Sequence, residues 1–128
     1  MQIIHHPAAP AAVGPYAQAI EANGFVFCSG QTPIVPASGQ VEALTIEDQT
    51  RQVLDNLRTV LSARSLSLAD IVKTTVFLKN FADFSRMNAV YAAQFGEHRP
   101  ARSTVEVSRL PLDALVEIEC VAVMPAAR

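Results

Sequence analysis

Apolar residues recur at helical period in two stretches of this chain and at period two in the segments around them. Ile46, Val53, Leu57, Val60 and Leu61 form the first stripe, which would lie along one side of a helix. Thr45 precedes it with Asp48 three residues on, the spacing of an N-terminal capping pair. The helix should close near Arg64, leaving Ser65 at the left-handed position past its end, where a glycine would cost less. Asp83 is expected to cap a second helix that buries Phe84, Met87, Tyr91 and Phe95 and stops at Gly96. Two helices interspersed with strands leave few architectures open: both must cover a sheet.

The strands follow from alternation and turn chemistry. Tyr16 to Glu21 reads as a short strand, and Asn23-Gly24 is a hairpin turn leading into Phe25 to Ser29. Gly30 to Gly39 holds two prolines and two glycines and reads as a loop. Ile71 to Leu78 is a strand with Val72, Val76 and Leu78 on one side and Lys73 and Thr75 on the other. Arg102 to Arg109 and Leu115 to Met124 close the chain, joined by a turn around Pro111. The order is ββαβαββ, an α+β (mixed α/β) sandwich with both helices on one face, in one domain spanning residues 1–128.

Parity in the last two strands connects the fold to function. Period two puts Val105, Val107, Val116, Ile118, Cys120 and Ala122 on the helix side. The other face then carries Arg102, Thr104, Glu106, Glu117 and Glu119, followed by Val121 and Val123. That face is too apolar to leave wet, and no further element remains to cover it, so a second copy of the chain is expected there. If the last two strands form a hairpin turning near Leu112, Arg102 and Glu117 stand on the order of 15 Å apart in one chain. To serve one small substrate they would have to meet across a subunit boundary.

Composition narrows the function classes. A formal net charge of −2 with scattered Lys and Arg offers no nucleic-acid face. No apolar run approaches the roughly 20 residues of a membrane helix. Met1 to Pro7 lacks the basic start and apolar run of a signal peptide, which fits a cytoplasmic protein. His5-His6 is read as part of a mobile, solvated end, and Pro7 to Pro15 as an extended surface segment. Cys28 and Cys120 lie in apolar strand-like runs and leave two readings, a disulfide or two buried reduced thiols; the second fits a cytoplasmic chain. No zinc-ligand spacing, Ser-His-Asp set or cofactor loop is present.

The chemistry-bearing residues are Arg102 in Pro100-Ala101-Arg102-Ser103 and Glu117 in Val116-Glu117-Ile118-Glu119. A guanidinium fork matches a planar carboxylate through two parallel hydrogen bonds, and a glutamate in a partly dry pocket can hold or activate a water. The competing readings are an ion pair of Arg102 with Glu106 or Glu119, and a solvated strand carboxylate at Glu117.

Gly14-Pro15-Tyr16, Ser29-Gly30-Gln31, Asp70 to Phe77, Pro100 to Ser103 and Val116 to Glu119 together resemble the Rid family (reactive intermediate/imine deaminase, YjgF-type) from about Gly14 to Val123. The resemblance implies a chorismate-mutase-like fold assembled as a homotrimer with clefts between subunits, acting without a metal or cofactor. It also implies hydrolysis of enamines and imines such as 2-aminoacrylate to 2-keto acids and ammonia. Arg102 would hold the substrate carboxylate and Glu117 the attacking water, with Tyr16, Ser29, Gly30, Asn88 and Thr104 lining the pocket. Two departures from the family stand out: Thr104 replaces a common cysteine, and the segment Glu97 to Pro100 is about three residues short of the archetype. The shorter segment borders the cleft and keeps open a pathway-specific substrate, such as 2-aminomuconate or an aminoacrylate from pyrimidine breakdown. A non-catalytic keto-acid-binding module is the alternative of another class.

Overall fold

The structure, a computed structural model, describes residues 1–126. Its main sheet has six strands: β1 (Gln2–Ile4), β2 (Ala19–Ala22), β3 (Phe25–Gln31), β6 (Ile71–Leu78), β7 (Ala101–Glu106) and β8 (Val116–Val123). Their order across the sheet is β1-β2-β3-β8-β6-β7, with every pairing antiparallel except β6–β7. A small separate hairpin, β4 (Ile34–Val35) with β5 (Gln40–Val41), follows β3. Helices α1 (Ile46–Ser62) and α2 (Phe84–Phe95) pack on one face of the sheet and on each other. This is the expected mixed α+β architecture with both helices on one face.

Local chemistry explains the helix ends. Thr45 is extended, and its hydroxyl accepts from the Asp48 amide at 3.1 Å. Asp48 turns outward to pair with Arg51 at 2.6 Å, so only half of the reciprocal cap forms. Ser65 adopts φ +58°, the left-handed conformation expected after α1. Asp83 makes no side-chain cap for α2. Asn80 does that work one turn earlier, accepting from the Ala82 amide at 2.9 Å as the chain enters through the short turn Phe81–Asp83. Gly96, at φ +65°, ends the helix as expected.

Val53, Leu54, Leu57, Val60 and Leu61 of α1 meet Met87, Tyr91 and Phe95 of α2 over the buried sheet residues Val26, Val76, Leu78, Val116, Ile118 and Ala122. Burying one such aliphatic side chain is worth about 1.5–3 kcal/mol, so the α1 stripe alone makes the sheet's helix side its core. Cys28 and Cys120 are direct cross-strand neighbours in it, both free and buried. The Cys28 thiol beside it, and then burial, push Cys120 well above the ordinary thiol range, so it stays protonated and unreactive.

The structure corrects further sequence expectations. The N-terminus is not a loose end: β1 pairs with β2 from Gln2↔Glu21 to Ile4↔Ala19. Buried Gln18 ties down the segment that follows, accepting from His6 N at 2.7 Å and donating to Pro10 O at 3.0 Å. A register shift between Ile71 and Lys73 turns Val72 outward, 41% exposed, and brings Thr74 into the core instead. Gly30 to Gly39 is not wholly a loop, because it contains the end of β3 and the whole of β4.

The largest correction concerns the final strands. β7 and β8 do not form a hairpin, because β6 lies between them. β7 runs parallel to β6 with Arg102 level with Thr74 and Thr104 level with Val76. Arg102 and Thr104 therefore face the helices, while Val105, 44% exposed, faces away from them. Parity within a strand was legible; which face each parity meets depended on a pairing partner that the sequence does not name.

Candidate active site

β3 carries an extra residue where it leaves β8: Cys28 pairs with Cys120, but Gln31 pairs with Ile118. Ser29 and Gly30 occupy this bulge, a common device for re-aiming a strand beside a functional site. Ser29 Oγ donates to Ala17 O at 2.6 Å, and Ser29 N donates to Gln18 O at 3.0 Å. The bulge thus holds the segment bearing Tyr16. At Gly30, a Cβ would sit 2.2 Å from Glu117 Oε2. Only a bare α-carbon lets the carboxylate lie against the backbone there.

Tyr16, Ser29, Gly30, Glu117 and Glu119 line a cavity of about 800 Å³ on the side of the sheet away from the helices, closed in part by Leu112 and Thr32. Buried polar side chains of α1 hold its walls. Asn56 Nδ2 donates to Thr32 O at 3.1 Å and Ile34 O at 2.8 Å, and Gln49 Oε1 accepts from Leu115 N at 2.8 Å. Partial burial, and then the neighbouring Glu119 charge, raise the Glu117 carboxyl above its ordinary range. A carboxylate so placed is a stronger base toward a bound water than one free in solution.

Arg102 belongs to a second cavity of about 480 Å³ on the helix side, lined also by Asn88, Tyr91, Ala92, Arg99 and Pro100. Its Nη1 donates to Asn88 Oδ1 at 2.7 Å. The guanidinium carbon lies 4.8 Å from the Tyr91 ring centroid and 5.5 Å from that of Phe84, two cation–π contacts that fix its plane. The Tyr91 hydroxyl is in turn hydrogen-bonded to Thr74 Oγ1 at 2.7 Å, and burial raises its pKa. Arg102 forms no ion pair with Glu106 or Glu119: Glu106 Oε1 accepts from Phe81 N at 2.8 Å instead. The structural ion-pair reading therefore falls, leaving a guanidinium held by an amide oxygen and aromatic rings beside open space.

The seven residues singled out from the sequence fall into two groups. Tyr16, Ser29, Gly30 and Glu117 share one cavity; Arg102 and Asn88 share the other; Thr104 lines neither, although it faces the same side as Arg102. Arg102 stands level with Thr74 and hence with Cys120, and Glu117 is three residues along β8 from Cys120. At about 3.3 Å per residue and 4.8 Å per strand, their Cα atoms lie on the order of 14 Å apart, with the side chains on opposite faces. The separation expected from the sequence survives, for a different reason.

Sequence reasoning missed Tyr91 as the ring beneath Arg102, Glu119 as a cavity wall, and the supporting pair Gln49 and Asn56. The last two carried a signal: they interrupt the α1 stripe at positions where apolar residues would sit, and both are buried. Among the described residues no three His, Cys, Asp or Glu side chains converge as a metal site, and no helix is long and apolar enough to cross a membrane.

Comparison with known proteins places this geometry among relatives. Residues 6–124 match the family model described as endoribonuclease L-PSP. A RutC family protein of Pyrococcus horikoshii is 52% identical over 121 residues, covering 94% of this chain and 96% of that protein. The Escherichia coli K12 protein named 2-iminobutanoate/2-iminopropanoate deaminase is 49% identical over 118 residues, covering 90% and 91% of the two chains. The crystal structure of E. coli TdcF with bound serine superposes with a TM-score of 0.92 at 42% identity, covering 98% of this chain and all of that one.

Proposed function

We propose that this chain, which belongs to the Rid (endoribonuclease L-PSP) family, hydrolyses reactive enamine and imine acids of the 2-aminoacrylate type to 2-keto acids and ammonia. The observation that carries the reading is Arg102: an oriented guanidinium without a carboxylate partner, lining a cavity. Such a fork matches the acid end of a small substrate. The deaminase name of the E. coli relative and the amino acid bound to TdcF support a small carboxylate ligand. The endoribonuclease name in the family model has less support, given a net charge of −2 and Lys and Arg scattered along the sequence rather than clustered.

The chemistry is economical. An enamine acid tautomerises to an imine, whose carbon already accepts nucleophiles, so orientation and a poised water suffice. Arg102 holds the carboxylate, and Glu117 takes a proton as water oxygen bonds to the imine carbon. With the imine nitrogen protonated this gives a neutral carbinolamine. Glu117 passes its proton to that nitrogen, and the C–N bond breaks to release ammonia. The carbinolamine hydroxyl gives its own proton to Glu117, which hands it to the ammonia, as the C=O bond of the keto acid forms. Tyr16, Ser29, Gly30, Asn88 and Thr104 are proposed to shape this pocket.

Within one chain the grip and the base face opposite sides of the sheet. We therefore place the working site between copies, where Arg102 of one chain meets the Glu117 cavity of the next in a homotrimer. The uncovered face supports association: Phe25 is 40% exposed and Phe27 48%, beside Val121 and Val123 in register.

The test adds the protein to a serine or threonine dehydratase reaction and follows ammonia and keto-acid release. Wild type should accelerate both, and Arg102→Ala and Glu117→Gln should each lose about 100-fold or more. When the two inactive variants are unfolded together and reassembled, about one site in four contains both intact groups, so activity should return. No acceleration by wild type would overturn the reaction. Activity that never returns on mixing would overturn the shared site. Full activity in Glu117→Gln would overturn the role of Glu117 as base, and keto-acid binding without turnover, unchanged in that variant, would favour a binding module instead.

A further inference from the structure

Among the described arginines, Arg51, Arg58, Arg64 and Arg86 are each paired with a carboxylate. Arg99, Arg102 and Arg109 are not, and the first two line the same cavity of about 480 Å³. The other lining residues are Asn88, Tyr91, Ala92 and Pro100, so this wall holds two guanidinium groups and no acid. An uncompensated pair of positive charges in a concave site draws anions and favours a doubly charged one over a singly charged one.

The local chain sets Arg99 in place. Gly96 closes α2 at φ +65°, and His98 Nε2 lies 2.6 Å from Ile71 O, pinning the short connection to the start of β6. Pro100 holds the residue before it extended. Arg99 Nη1 donates to the carbonyls of Gly96 and His98. Arg102 likewise engages Asn88 through Nη1. Each guanidinium is steadied through one nitrogen and keeps further N–H donors for a ligand. Their Cα atoms are three residues apart, at most about 10 Å, so the two long side chains can bracket a short molecule with an acid group at each end.

We propose that Arg99 is a specificity-determining residue that binds a second acid group, making the preferred substrates imino or enamine acids with two carboxylates. This inference rests on the reading of Arg102 as the grip for the first carboxylate. The reaction supplying such a substrate would be an oxidation or elimination on an acidic amino acid, and the product would be a keto diacid.

Binding of keto acids measures the preference independently of turnover. 2-Oxoglutarate and 2-oxopentanoate have the same five carbons and differ only in the terminal carboxylate. Calorimetric titration of the wild-type protein at low ionic strength should show 2-oxoglutarate binding about tenfold more tightly. Arg99→Gln, a change at an exposed side chain, should bring the two affinities within about twofold of each other, and Arg99→Lys should give an intermediate ratio. Arg102→Gln should weaken both ligands. Equal affinities in wild type, binding of neither ligand, or a preference that survives Arg99→Gln would overturn the proposal. Imine hydrolysis assayed in parallel separates the two ideas: a wild-type preference for the diacid without turnover would count against the reaction and for the second acid site.

Discussion

Glu117 and Glu119 lie two residues apart on β8 and line the same cavity. Partial burial, and then the Glu119 charge, hold the Glu117 proton to a higher pH than usual. A carboxyl group raised in this way contributes to folding stability at low pH, and that contribution is lost as pH rises through its folded pKa. Activity runs the other way, since a water-activating base must be ionised. Glu119→Gln removes the second cause of the shift while leaving burial in place. The acid limb of kcat/KM should therefore move to lower pH, with the alkaline side little changed, in a pH–rate profile of imine hydrolysis. An unmoved limb would mean that Glu117 is not the titrating base. Arg102 and Glu117 could be named from the sequence because their types are chemically distinctive, whereas Tyr16, Ser29, Gly30, Asn88 and Thr104 were named through the resemblance to the Rid family. Tyr91 could not be named, because an aromatic on the buried face of a helix has the same pattern whether it fills a core or supports a guanidinium.

The individual elements were the most legible level. The α1 stripe, its Thr45 cap, the left-handed Ser65 and the limits of β6 all follow from spacing and residue type, which act within a few residues. Pairing does not act locally. The sequence shows two strands separated by a turn at Pro111, and a hairpin is the simplest join; in the structure β6 inserts between them and reverses the outlook of Arg102. The short strands β1, β4 and β5 have two or three residues each, too few for alternation to register. Ser65 gives this scale its prediction. Its φ of +58° costs a serine more than a glycine, so Ser65→Gly should raise stability by about 0.5–1 kcal/mol, a higher urea midpoint with an unchanged slope.

At the scale of the whole molecule, helices cover one side of the sheet and leave Phe25, Phe27, Val105 and Val123 open on the other. In the assembly proposed above, this side is the seat of the neighbouring chain. Phe27→Glu places a charge on the open face, away from the α1–α2 core. It should leave the far-ultraviolet circular dichroism spectrum intact, shift sedimentation toward a single chain, and abolish imine hydrolysis together with association. Loss of association with full activity would show that one chain suffices. The sheet that keeps Arg102 from Glu117 also gives assembly a biological meaning. With the site shared between copies as proposed, a newly made copy would be chemically silent while alone, so at low expression cellular output would climb more steeply than the number of chains, and the onset of function would be timed by encounters between copies.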